Sequence, residues 1–226
     1  WFEKNYFERI QFIAIEIDMK KPDIICLQEI IHTAQTIKCL ESIGYTIIIS
    51  PSTRRYRELI GVRKDSGFII KKVHSIPFIN SVMQRELLIA ELYHPEIDTL
   101  HIAVSHLESM YQFRKIRLEQ LSIVFKLLSE YDNVFFLGDT NLHIDQSLKI
   151  PKSWIDCFNE MGCDPNNKYT YDGRTNKHIN GKSRKRFDRV FYKSEQYNPI
   201  DFKLFGNINP MSDHYGVLVK FNSIDE

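Results

Sequence analysis

Residues 133–141, NVFFLGDTN, decide how this chain is read. Val134, Phe135, Phe136 and Leu137 form an apolar, β-rich run of strand length, and it stops abruptly at Gly138-Asp139. A strand that hands over directly to Asp139, Thr140 and Asn141 sets polar groups at a sheet edge. There α/β folds place reacting side chains, because the sheet holds them while the loops leave a crevice. The same junction recurs along the chain. DIICLQE (23–29) ends in Gln28-Glu29, and a strand predicted over 99–106 runs into Ser105-His106-Leu107-Glu108-Ser109. Ser212-Asp213-His214 stands before a final strand. One carboxylate at a strand end is ordinarily a cap or a solvated loop residue; several carboxylates, two histidines and an asparagine in equivalent places suggest a site.

Around these junctions the periodicity supplies the rest. Ile10, Ile13, Ala14 and Ile17 recur at helical spacing and predict a helix over 5–20, stopped by Lys21-Pro22. A second helix, 33–43, ends at Gly44, a C′ glycine. Strands are expected at 45–50, 67–71, 86–93 and 99–106. A helix over 113–129 follows, carrying Leu121, Val124, Phe125 and Leu128 on one face. Residues 143–183 are polar and loop-rich, broken by a helix near 153–161, and strands resume at 186–192, 200–204 and 216–221. No repeat, low-complexity segment or linker divides the chain, so 1–226 reads as one α/β domain.

Composition excludes whole classes. Thirty basic and 29 acidic residues leave a net charge of +1, neither a uniformly basic nucleic-acid sponge nor an acidic tail. No apolar stretch has the roughly 18 residues a membrane span needs, and residues 1–12 contain no signal-peptide core. The four cysteines have no CxxC pair and no disulfide-framework spacing. The expectation is a reducing, intracellular location, nucleus or cytoplasm. HExxH, a P-loop, GxGxxG and GxSxG are all missing. What remains is metal-assisted phosphoester hydrolysis, with a carboxylate such as Glu29 suited to Mg²⁺, which takes one or two carboxylates and completes its shell with phosphate oxygens and water.

The ordered set PDIICLQE (22–29), SHLES (105–109), GDTN (138–141), RFDRVF (186–191) and SDHYG (212–216) resembles the endonuclease/exonuclease/phosphatase superfamily. With YTYD (169–172), it looks most like that superfamily's 5′-tyrosyl-DNA phosphodiesterase group. The resemblance implies a deoxyribonuclease I-like four-layer α/β sandwich, two facing mixed sheets with helices outside, and Mg²⁺ (Mn²⁺ as a substitute) at one end. It implies Glu29 and Asp213 at the metal, Asp139 activating water, and Asn141 holding that water or a phosphate oxygen. His106 and His214 would donate to phosphoryl oxygens, with Asp188 orienting His214. Ser109, His143, Tyr171 and Arg186 would touch substrate. The family's opening strand, ending in Asn, has no counterpart before the first helix, so the domain is expected to start about one strand late. His143 stands where the group has Arg, and Tyr171 where it has Trp.

The implied substrate is a single-stranded or frayed DNA 5′ end bearing a tyrosyl adduct, with protein-linked RNA as a chemical equivalent, acted on by a monomer without a membrane. An abasic-site endonuclease, a deadenylase, a phosphoinositide or sphingomyelin hydrolase and an inactive nucleic-acid scaffold are the alternatives. Two basic stretches would supply nucleic-acid contact: 52–72, with seven Lys/Arg against two acids, and 168–193, with nine against two.

Overall fold

The computed structural model describes residues 5–51, 53–143 and 150–224. Trp1, at the expected start of the domain, Ser52, which opens the first basic stretch, and residues 144–149 of the polar region lie outside it. The described chain builds two β layers with helices on either side.

The largest sheet has six strands in the order β4-β5-β6-β7-β11-β8. They are β4 (Ile69–Pro77), β5 (Glu86–His94), β6 (Asp98–Ser105), β7 (Val134–Asp139), β8 (Ile155–Asp156) and β11 (Asp188–Lys193). Facing it is a three-stranded sheet, β1-β3-β2, from β1 (Ile24–Ile30), β2 (Tyr45–Ile49) and β3 (Arg57–Arg63). Beside that lies the hairpin of β12 (Tyr197–Phe205) and β13 (Gly216–Ser223). A two-residue pairing of β9 (Tyr171–Asp172) with β10 (Arg184–Lys185) closes a loop within the 168–193 segment. Strand periodicity of two makes the layers. Leu88, Ala90 and Leu92 of β5 face Ile60 and Val62 of β3 across the central core. Leu87 and Ile89 turn instead toward Leu121, Val124, Phe125 and Leu128 of α3 (Arg114–Leu128). Ala14 and Ile17 of α1 (Tyr6–Lys20) and Leu40 of α2 (Thr33–Ser42) cover the outer face of the small sheet over Ile25 and Leu59. The order helix, sheet, sheet, helix is the expected four-layer sandwich. A four-residue helix, α4 (Cys157–Glu160), follows β8.

Several expectations hold closely, including α1, β1 and the Gly44 C′ position, whose φ is +92°. Others need correction. Residues 57–63, within the first basic stretch and given no strand, are β3, the buried middle strand of the small sheet. β4 runs on to Pro77, well past 71, because an edge strand tolerates KKVHS facing solvent. Part of the positive charge of 52–72 is engaged by acidic neighbours, while Arg55, Lys64, Lys71 and Lys72 are exposed. Arg54 pairs with Glu58 and Glu86, Arg63 with Asp23 and Asp65, and Lys72 with Glu91. The paired arginines of that stretch are thereby committed within the protein.

The Arg54 cluster has a consequence for stability. Glu58 is 2% exposed, and burial raises its carboxyl to about 7, with Arg54 opposing and Glu86 adding. The folded state therefore holds this proton more tightly than the unfolded chain does. This group's contribution to stability is full below about pH 4.5, declines as pH rises to about 7 and is lost above it, a change of about 3 kcal/mol. Glu58→Gln is expected to flatten the decline in urea unfolding measured between pH 5 and 8.

Candidate active site

Each junction read from the sequence delivers its polar groups to one end of the facing sheets. In β1 the register against β3 shifts between Leu27 and Ile30, a bulge, and within it Glu29 takes φ +59°. Bulges redirect side chains near functional sites, and this one turns the Glu29 carboxylate toward His106, whose Nδ1 is 3.6 Å away. At the end of β6, His106 is 4% exposed. At the end of β7, Asp139 is cross-strand partner to Asp188 of β11. The approach of β6 to β7 requires Gly138: its φ is +136°, and a Cβ there would lie 2.1 Å from the Ser105 carbonyl oxygen. Gly138→Ala should cost about 3 kcal/mol or more, a fall in Tm of roughly 6–12 °C for a domain of this size, checked by thermal unfolding.

Asn141 follows with φ +50°, a conformation asparagine tolerates. Its backbone N–H donates to Asp139 Oδ1 at 2.9 Å, and its side-chain amide donates to the Leu107 carbonyl at 3.1 Å. Thr140 donates through N–H and hydroxyl to the Phe187 carbonyl. The Thr170 hydroxyl accepts from the Phe187 and Asp188 N–H groups. Tyr215 N–H donates to the Thr170 carbonyl, which seats the 212–215 turn against the same strands.

Asp139 Oδ2 lies between two imidazoles, 3.3 Å from His106 Nε2 and 3.9 Å from His214 Nε2. The other ring nitrogen of His214, Nδ1, is 2.7 Å from Asp188 Oδ2. The histidines differ in charge. Burial, then the Arg85 and His214 cations, push His106 well below the ordinary imidazole value, so it is neutral. Burial alone would discharge His214 as well, but Asp188, Asp139 and Asp213 outweigh it and hold it up to about 10. Asp139 is raised by burial, opposed by His214 and reinforced by Asp188 and Glu29. Glu29 is raised by burial too, with Arg85 opposing and Asp213 reinforcing.

The expected residues thus divide. Glu29, His106, Asp139, Asn141, Asp188 and His214 come together, and Asp213 faces Glu29 closely enough to disfavour its charge. Tyr171 stands edge-on to His214, ring centroids 5.3 Å apart. His143 packs on Phe187 at 5.8 Å and Tyr111 at 6.5 Å. Arg186 is a correction: Nη1 and Nη2 donate to Asp156 at 2.7 and 2.8 Å, beside Arg189 on the same carboxylate. It is a strut between β8 and β11 and does not reach for phosphate. Because Asp156 takes both arginines, Asp188 is left to His214. Sequence reasoning missed Arg85, at the start of β5. Its buried guanidinium touches His106 Nε2 at 3.3 Å and Ser109 Oγ at 3.4 Å. A lone arginine before a strand carries no motif signal.

Among the described residues, Asp139, Asp188 and His214 offer ligand atoms within 4.8 Å of one another, an acidic cluster able to hold a metal ion. Hydrogen bonding already joins His214 to Asp188. Glu29 differs: no hydrogen bond among the described residues reaches its carboxylate, and a second carboxylate, Asp213, opposes it. Two opposed oxygen donors of this kind fit a hard cation.

An α/β sandwich with carboxylates and imidazoles converging at its strand ends defines a small class of proteins. The chain belongs to the endonuclease/exonuclease/phosphatase family, whose model matches residues 6–214. It is 29% identical to tyrosyl-DNA phosphodiesterase 2 of Xenopus tropicalis over 97% of its own length and 62% of that protein's. It is 30% identical to the 5′-tyrosyl-DNA phosphodiesterase of Caenorhabditis briggsae over 96% and 65%. The chain therefore spans a little under two thirds of these curated relatives. The structure of D. rerio TDP2 complexed with single strand DNA product matches with TM-score 0.88 and 29% identity, over 96% of this chain and 93% of that one.

Proposed function

We propose that this domain hydrolyses the phosphodiester joining a tyrosine to a nucleic-acid 5′ end, with Mg²⁺ as cofactor. The observation that carries the reading is the line Asp188–His214–Asp139: a proton acceptor beside an imidazolium that a second carboxylate holds charged. The names of the relatives, and the DNA product in a solved neighbour, support the choice of substrate.

Asp139 Oδ2 accepts the proton of the attacking water, and Asn141 positions that water. His214, cationic, donates toward the phosphoryl oxygens as charge develops, and Arg85 with Ser109 supplies a second donor pair. His106 is turned inward, with Nε2 on Arg85 and Nδ1 toward Glu29, and it fixes those neighbours. When bound, Mg²⁺ held by Glu29 and Asp213 would neutralise phosphoryl charge. The leaving group is a phenolate with a pKa near 10, so no strong general acid is needed. Nucleic acid lies along 168–182, where Arg174, Lys177 and Lys182 are exposed and Tyr171 offers a ring face.

The test presents a 5′-phosphotyrosyl oligonucleotide, an abasic duplex and poly(A), each with Mg²⁺ or EDTA. Mg²⁺-dependent turnover of the tyrosyl end is expected. Turnover of the abasic duplex alone would transfer the reading to an endonuclease, and of poly(A) alone to a deadenylase.

A further inference from the structure

We propose that Glu108 is a positioning residue for the reaction: it meets no substrate, and it acts by holding the 81–85 turn so that Arg85 presents its guanidinium to a phosphoryl group. The proposal rests on the reading of Arg85 as a phosphoryl donor given above.

Glu108 is fully buried, and its carboxylate is spent on one turn and one helix. Oε1 accepts from the Val82 and Met83 N–H groups at 3.1 and 2.8 Å. Oε2 accepts from Ser81 Oγ at 2.6 Å and from Gln120 Nε2 at 3.1 Å. The Ser81 oxygen in turn accepts from the Arg85 N–H at 2.7 Å, so carboxylate, hydroxyl and Arg85 backbone are linked in series. Gln84, immediately before Arg85, sits at φ +58°, a backbone state that a residue other than glycine keeps only when its surroundings fix it. The other end of the bracket is held as well. Gln120 of α3 accepts from the Glu108 N–H at 2.8 Å, and Arg117, 1% exposed, donates to the Glu108 carbonyl at 2.6 Å. The helix fixes Glu108, and Glu108 fixes the turn.

The turn delivers both members of the donor pair. Arg85 Nη2 donates to Ser109 Oγ at 3.4 Å and lies 3.3 Å from His106 Nε2. The Ser109 hydroxyl donates at 3.1 Å to the thioether of Met83, whose N–H Glu108 holds. Arg85 Nε is buried without a hydrogen-bond partner among the described residues. With two long contacts and one unspent donor, the guanidinium is placed chiefly by the backbone that carries it. Closing the turn does not by itself call for a carboxylate. Ser81 N–H to the Phe78 carbonyl and Phe78 N–H to the Arg85 carbonyl, both 3.0 Å, already close it, and a buried carboxylate is costly to desolvate. Aim is what the extra anchor adds, and small errors of aim are expensive in a reacting site.

The experiment is a double-mutant cycle of Glu108→Gln and Arg85→Met with two readouts. One is kcat/KM on the 5′-phosphotyrosyl oligonucleotide with Mg²⁺; the other is the affinity ratio of 5′-phosphorylated to 5′-hydroxyl oligonucleotide. The wild type is expected to prefer the phosphorylated end about tenfold. Glu108→Gln should lower kcat/KM about tenfold and bring the preference to within about threefold. In the Arg85→Met background the same change should cost less than about twofold in either readout. Ser81→Ala removes only the hydroxyl between the carboxylate and the Arg85 N–H, and serves where Glu108→Gln lowers the unfolding midpoint. Its loss of about threefold should likewise disappear without Arg85. Equal losses with and without Arg85 would overturn the proposal and make Glu108 structural. A wild type indifferent to the 5′ phosphate would remove Arg85 as a donor, and the proposal with it. Failure to cleave the tyrosyl adduct, with the phosphate preference and its Glu108 dependence intact, would remove the phosphotyrosyl reading and uphold the positioning role.

Discussion

Asp139→Asn is expected to lower kcat on a 5′-phosphotyrosyl oligonucleotide on the order of 10³-fold, while leaving oligonucleotide affinity and the unfolding midpoint close to wild type or above it. The substitution replaces one oxygen by an isosteric amide. Oδ1 can still be presented to the Asn141 N–H, so the turn after β7 keeps its bond. Oδ2, the atom lying between His106 and His214, loses its capacity to take a proton. Burial, with Asp188 and Glu29, raises the Asp139 carboxyl against the pull of His214 to about 7. A base must be ionised to act, so the wild-type rate should rise with pH through that region, and the limb should vanish from whatever activity the variant retains. Stopped-flow turnover from pH 5 to 10 measures both. A variant that unfolds would make Asp139 structural, and one that keeps its rate would move the base elsewhere.

Asp188→Asn should act at the opposite end of the pH profile. His214 is held up to about 10 because Asp188, at 2.7 Å, Asp139 and Asp213 outweigh burial. Without the Asp188 charge, burial gains and the imidazole moves down toward or below its ordinary 6.5. An imidazolium donor works only while protonated. The basic limb should therefore shift from about 10 into the neutral range. At pH 8 the loss in kcat should be roughly 10²-fold, and it should recover substantially at pH 6. A purely structural Asp188 would give a loss independent of pH, so recovery on acidification separates the two cases.

Strands that close on polar residues were legible because their apolar runs end sharply: β1 at Gln28-Glu29, β6 at Ser105-His106, β7 at Gly138-Asp139. β3 was not. Its core, Leu59 to Val62, is flanked by Arg57 and Arg63, and the charges that make it look like a loop are neutralised by residues distant in sequence, such as Asp23. Arg186 was misread for the same reason: its partner Asp156 is on another strand 30 residues away. Arg85 was invisible for a related one. A buried ionic group carries no periodicity, and only its partners reveal what it does. The His and Asp set was legible because it sits inside motifs; the charge difference between His106 and His214 depends on burial and neighbours and needed coordinates.

Asp139 and Asp188 stand directly opposite one another on paired strands, an arrangement that repels in any sheet. His214 offsets that repulsion by reaching both carboxylates, Nδ1 at 2.7 Å from Asp188 and Nε2 at 3.9 Å from Asp139, so the facing pair and the ring stand or fall as one unit.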